Sequence, residues 1–490
     1  MLGLGAKINR SVKGRRAFTS KVSMNFDGSA DAVIIPDHAD FNHDTGSHSK
    51  FTVSFWFKAD YSSGTLSDTE VLMGRWDLND KREWFIYVGT DRVINIATSD
   101  DGTSGGNIKT HVTNHTISDT NWHHFIMRYD GSQSANYRTL VFIDGSVALS
   151  SSVGTVASGS FAQLHEADQD TWIAATHNNG TAERHFNGKI DEVAYWKGAL
   201  ALSGTNKYAS YVYNNGNPRD LSYADGTENL IGYWRLGEYY TAGCPIPSGT
   251  FPNSTTNPQD SSKYRGSSAT ALVALNWAGG KPRKVGDNLI TNGNFIDGGP
   301  ALASDETQET VNGWMGYTGS AGGVITTDTS IYRSEGKSAK ITTDADGTFI
   351  RLSRDTNAVL EDGEFYVLEY WIYTPTDVSG SVHQEWGRTQ CELDKCIESA
   401  AQYGLTDSGN NIPTGHLKIN QWLRHIMVGR YNPGSDSTEA VKVARHFGEL
   451  EDGEGPQTFY VDDISVYKLS GTHHGLVQSA GAAILDEGVD

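Results

Sequence analysis

The stretch "FTVSFWFKAD" alternates without a break. Phe51, Val53, Phe55 and Phe57 fall on one side, and Thr52, Ser54, Trp56 and Lys58 on the other. Side chains of an extended chain point to opposite faces in turn, so this is a strand with one face in a core. The pattern recurs. "EWFIYVGTDRVINIATSDDG" reads as two strands turning near Thr90-Asp91, and "WHHFIMRYDGSQSANYRTLVFIDGSVALS" as two more. Asp130-Gly131 and Asp144-Gly145 serve as turn pairs, because Gly takes φ > 0 without steric cost. "FNGKIDEVAYW" and "NLIGYWRLGE" complete the set. Strands spaced roughly 8–15 residues apart with turn signals between them predict an antiparallel β-sandwich, not a parallel α/β sheet. The best helix pattern is "LSGTNKYASYVYNNG", from a Ser203 cap to Asn215-Gly216.

With 490 residues, the chain has room for about two to four domains. Residues 242–286 are rich in Pro, Ser, Thr and Asn and lack periodicity, which predicts a linker. A second β domain follows over 287–470. In "EFYVLEYWIYTPT", Phe365, Val367, Trp371 and Tyr373 alternate with Tyr366, Leu368, Tyr370 and Ile372. Both sets are apolar, so this strand is expected to be covered on both faces. Residues 471–490 are Gly- and Ala-rich and are expected to form a loose tail. The fold class is therefore all-β: two antiparallel jelly-roll sandwiches, 24–241 and 287–470, with a linker between.

The net charge of −20 disfavours nucleic acid as a partner. No apolar run reaches the roughly 18 residues that a membrane insertion needs. Residues 1–23 form a basic arm, with Lys7, Arg10, Lys13, Arg15 and Arg16 and no acidic residue. The arm lacks the unbroken apolar core of a secretory signal. Its charge opposes that of the rest of the chain, which predicts docking on an acidic neighbour. Three Cys are too few for a disulfide scaffold. Cys391 and Cys396 could close a small loop or remain thiols.

"MNFDGSADAVIIP", "FTVSFWFKAD", "NWHHFIMRYDG", "LVFIDGSVA" and "FNGKIDEVAYWKGAL" occur in an order that resembles the laminin-G-like, concanavalin A-type jelly roll. "NLITNGNF", "GW" at 313–314, "YVLEYWIYTP" and "FYVDDISVYKL" resemble the galactose-binding-like jelly roll of carbohydrate-binding modules. These resemblances imply binding of glycans or protein surfaces, in secreted or virion proteins. They also imply calcium. In the first module Asp77 and Asp80 of "WDLND" are the densest acidic cluster. In the second, Asp462 matches a calcium position, whereas Ile296 stands where the family carries an acidic residue.

Sugars stack their C–H faces on exposed rings. Of 12 Trp, seven (56, 122, 196, 234, 314, 371 and 422) fall where such folds place core residues. Trp76 and Trp386 have polar neighbours and are the predicted glycan contacts. For catalysis there is little. "GTSGG" at 102–106 matches G-x-S-x-G in letters but lies between strands, not at a strand-to-helix turn. Acidic neighbours such as Asp191-Glu192 should face opposite sides of a strand and so not act as a pair. No enzyme is expected.

Two outward-facing modules without a signal peptide predict a virion surface protein made in the host cytoplasm: a capsid decoration, head-fibre or tail-fibre component. "MLGLG" resembles the starts of marine bacteriophage structural proteins. Its partners would be capsid or tail proteins, further copies of itself in a homo-oligomer, and a host-surface glycan. A secreted carbohydrate-binding or adhesion protein is the alternative, and a polysaccharide-active enzyme the third reading.

Overall fold

The computed structural model describes residues 18, 20, 23–43, 48–166, 168–202, 208–222, 229–236, 273–274, 276–279, 282–297, 301–302, 314–317, 324–342, 350–355, 358, 360–373, 375, 390–393, 397–398, 403–404, 420, 422–431, 442–447, 458–478 and 483–485. They form an all-β protein with one short α-helix, Tyr208–Tyr213, continued by a 3-10 turn at Asn214–Gly216. The helix is the predicted one, shortened; Ser203 lies outside the described residues.

The first sandwich packs two sheets around an aromatic core. One sheet runs Ser146–Leu149, Thr139–Ile143, His123–Asp130, Lys50–Ala59, Asn187–Trp196, Ser23–Asp27 and Ala483–Leu485 in order, with Leu230–Trp234 also paired to Asn187–Trp196. The other includes Ala32–Ile35, Thr171–Ile173, Glu70–Asp77, Lys81–Val88, Val93–Ser99 and Ile108–Thr116. The alternation of residues 51–57 explains the centre. Phe51, Val53, Phe55 and Phe57 are all in the core. Phe51 stacks with Trp84 at 4.9 Å and Tyr129 at 5.7 Å between ring centroids. Such pairs add about 0.5–1.5 kcal/mol each beyond area burial.

Asp144-Gly145 turns as expected, with φ of 49° and 71°. Gly131 is required for a different reason: a Cβ there would lie 1.8 Å from the Ala162 carbonyl oxygen. Close approach, and not a positive φ, fixes that glycine.

The expected loose tail is corrected. Gly475–Gln478 pairs with Ala32–Ile35, and Ala483–Leu485 pairs with Ser23–Asp27, both antiparallel. Part of the expected linker also belongs to the first sandwich. Val273–Ala274 pairs with Gly475–Gln478. The Asn276 side chain donates to the carbonyls of Ile231 (2.7 Å) and Thr472 (3.0 Å) and accepts from the Tyr233 amide (2.7 Å). One buried amide thus ties three distant segments together, and the second sandwich is inserted between strands of the first.

That second sandwich has a six-stranded sheet containing Val324–Asp328, Ser338–Thr342, Thr458–Leu469, Phe365–Tyr373 and Trp422–Arg430, with Lys284–Val285 on Thr458–Leu469. A five-stranded sheet faces it. The core between them includes Trp314, Leu352, Leu368, Tyr370 and Val461. The two sandwiches meet through one apolar cluster: Ile126, Phe142 and Trp196 of the first lie with Phe365, Val367, Val428 and Leu469 of the second.

Candidate functional site

The outer face of the Phe365–Tyr373 strand has two fates. Phe365 and Val367 are covered by the first sandwich. Further along, Trp371 and Tyr373 are only half-buried, so the expectation of a strand covered on both faces fails at this end. Strand register then aligns a row. Tyr373 pairs with Trp422 on one side and with Tyr460 on the other. Tyr460 in turn pairs with Lys340. The ring centroids of Tyr373 and Trp422 are 5.4 Å apart, and those of Tyr373 and Tyr460 are 5.9 Å apart. Lys340 Nζ lies 5.8 Å from the Tyr460 ring. Polar groups edge the row: the Tyr373 hydroxyl donates to Asn420 Oδ1 at 3.2 Å, and the Thr342 and Thr458 hydroxyls are 3.2 Å apart. Beside the row, the Arg333 guanidinium sits 3.8 Å over the Trp371 ring and pairs with Asp463.

Trp371 and Trp422 were expected in the core, and this placement corrects that. Trp76 also differs from its expected setting. It is 4% exposed, its ring 4.5 Å from that of Phe85 and under the Arg82 guanidinium, and it offers no open face for stacking. Trp386 lies outside the described residues, as do Lys7, Arg10, Lys13, Arg15 and Arg16.

The carboxylates expected to hold calcium accept hydrogen bonds from the protein itself. Asp77 Oδ1 accepts from the amides of Asn79 and Asn179, at 2.8 and 2.9 Å. Asp80 accepts from Arg82 and from the Ser104 amide. Asp462 is buried and accepts from the amides of Arg333, Ser334 and Asp463, at 2.8, 3.1 and 2.7 Å. Burial outweighs these donors and pushes its pKa up to about 6.

"GTSGG" lies between the strands Val93–Ser99 and Ile108–Thr116, as expected for a loop. The alternation argument fails at Asp191-Glu192. A bulge in the Asn187–Trp196 strand, with Glu192 at φ 51°, buries both carboxylates. Asp191 accepts from the Ser20 hydroxyl and the Leu236 amide. Glu192 accepts from the Tyr233 hydroxyl and from Arg235 Nε at 3.1 Å. Burial, and then the charge of Glu192, push the Asp191 carboxyl well above the usual range. Each carboxylate is held by donors from its own sandwich.

A second buried pair comes from another bulge. Arg75 registers with Trp84 and Trp76 with Arg82, which leaves Glu83 as the extra residue. Glu83 turns inward to Arg75 Nε at 2.8 Å, with His43 Nε2 3.2 Å away.

Residues 27–204 match the family model for the concanavalin A-like lectin/glucanase superfamily. The fold of the first sandwich is accordingly that of a concanavalin A-like lectin domain. Among solved structures, the chain is similar to the heptameric SAP-like pentraxin of Limulus polyphemus, at 17% identity over 39% of this chain and 82% of that one, with a TM-score of 0.27. It is similar to the CBM22-1 xylan-binding domain of Paenibacillus barcinonensis Xyn10C, at 10% identity over 39% and 99%, with a TM-score of 0.25. A third is the CBM40 of the Ruminococcus gnavus IT-sialidase, at 10% identity over 38% and 96%, with a TM-score of 0.27. Among curated proteins no relative matches the chain. Among the described residues, no helix is long and apolar enough to cross a membrane.

Proposed function

We propose that the protein binds glycans without transforming them, through the row of Trp422, Tyr373 and Tyr460 on the second sandwich. The carrying observation is the register that lines these rings across three adjacent strands, two of them half-exposed, with Lys340, Asn420 and Thr458 at hand for hydroxyl groups. Apolar ring faces with a few placed polar groups are what a sugar's two-sided chemistry needs. The lectin-type fold of the first sandwich supports the same reading. The proposal sets the protein on a virion surface, as a homo-oligomer held to capsid or tail proteins by the basic arm; the arm's charge, opposite to that of the chain, supports this part.

A glycan array probed with the full chain tests the binding. Hits that weaken by about 5- to 150-fold in Tyr373→Ala or Trp422→Ala, equivalent to about 1–3 kcal/mol, are expected. An array without hits, or hits that ignore both substitutions, would sink the proposal. Circular dichroism of the variants confirms that the sheet is intact.

A further inference from the structure

Among the described residues, one group of three side chains has metal-ligating atoms within 4.8 Å of one another: His38, Asp40 and His473. His38 and Asp40 flank the start of the 3-10 turn Ala39–Phe41, and His473 lies on the segment that returns from the second sandwich. His473 Nε2 is 2.8 Å from Asp40 Oδ2. His38 Nδ1 is 3.4 Å from the same oxygen.

We propose that His38, Asp40 and His473 bind a divalent transition-metal ion of the zinc class. The spacing suits it. Bonds of about 2.0–2.1 Å in a tetrahedral site place ligand atoms roughly 3.3 Å apart. Two of three donors are imidazoles, which favour zinc-class ions over calcium or magnesium. His473 is held in place beforehand. Its side chain is 5% exposed, its ring packs edge-on to Phe41 at 4.9 Å, and its carbonyl accepts from Trp234 Nε1. It also has φ of 61°, a left-handed conformation that a non-glycine residue adopts at a cost.

His38 and Asp40 are about half exposed, at 54% and 48%, so the fourth position opens to water. His38 Nδ1 accepts from the Asp40 amide at 3.1 Å and would exchange that bond for the metal. Lys197, bonded to the Ala39 carbonyl, is the nearby opposing charge. The ion would clip the returning segment to the first sandwich. This site stands apart from the glycan row, and neither proposal depends on the other.

The test uses the full, tag-free chain stripped with a chelator. Calorimetric titration with Zn²⁺ at pH 7.5 should show one ion per chain at micromolar affinity or tighter, and thermal melting should move upward with zinc. Asp40→Asn and His38→Ala should each weaken this binding by at least about 10-fold. His38 is exposed, so its variant tests the site even where His473→Ala fails to fold. Co²⁺ should give a visible absorption band that is lost in the same variants. No binding by the unaltered chain, or binding unchanged in both variants, overturns the proposal.

Discussion

Trp234 and His473, 239 positions apart, are joined by a 2.9 Å hydrogen bond from the indole Nε1 to the His473 carbonyl. It is one of several ties that make the C-terminal segment part of the first sandwich. Removing residues 472–490 should therefore damage the first sandwich as well as leave the second without its exit. The expected outcome is loss of near-UV circular dichroism from the first core. Trp234→Phe removes this bond and leaves a small cavity in the core, and should cost about 2–4 kcal/mol in urea unfolding. A truncated chain as stable as the full one would contradict this assignment.

Glu83 and Arg75 are both wholly buried. Burial would raise the Glu83 pKa, but Arg75 and His43 hold it below the ordinary carboxylate value. Glu83→Gln removes the buried one of two carboxylates on the guanidinium, the other being Asp37 at 2.9 Å, and should destabilise by about 2–3 kcal/mol. A depressed carboxylate stabilises above its unfolded pKa and ceases to as pH falls through its folded one. Chemical denaturation of the variant and the parent at pH 7 measures the cost.

His123 has a carboxylate at each ring nitrogen: Asp144 at 2.7 Å from Nδ1 and Asp119 at 3.1 Å from Nε2. The His115 ring lies 5.3 Å away. Burial alone would lower the His123 pKa, but the two carboxylates override it and raise it. A raised histidine stabilises fully below its unfolded pKa, and that stability is lost as pH rises through the folded value. Proton NMR should show His123 titrating above about 6.5. Asp144→Asn should bring it down; a titration unmoved by that change would refute the pairing.

The first sandwich makes contacts upstream of Met24. Ser20 is buried against Asp191, and the Arg235 guanidinium lies 4.3 Å over the Phe18 ring. Deleting residues 1–23 should thus cost about 1–3 kcal/mol, because a buried carboxyl loses a partner. On the proposed virion role it should also lower incorporation into particles, read by co-sedimentation. Unchanged melting of the deleted form would show that these contacts carry no stability.

Alternation made the first sandwich legible because its strands are long and one face is plainly aromatic. The return of the C-terminal segment was hidden, since "GLVQ" and "AIL" are short and take their strand character from the edges they meet. Trp76 misled through its neighbours: Arg75 and Asp77 suggested a loop, yet Arg75 lies in the core against Glu83. Trp371 was masked by a pattern apolar on both faces, and Trp422 by its place among the tryptophans expected in the core. Which stretch of such a face stays open depends on where the first sandwich stops covering it, and no local pattern records that.

The insertion also sets an order for biosynthesis. The strands Ser23–Asp27 and Ala32–Ile35 pair early with Asn187–Trp196 and Thr171–Ile173, but each acquires its second neighbour only when residues 475–485 emerge. During translation, at about 5–20 residues per second, the lectin-like sheets carry two unpaired edges for on the order of tens of seconds. Unpaired edges recruit other strands. A nascent chain that stalls inside the second sandwich is therefore the form most prone to pair with its neighbours on a polysome.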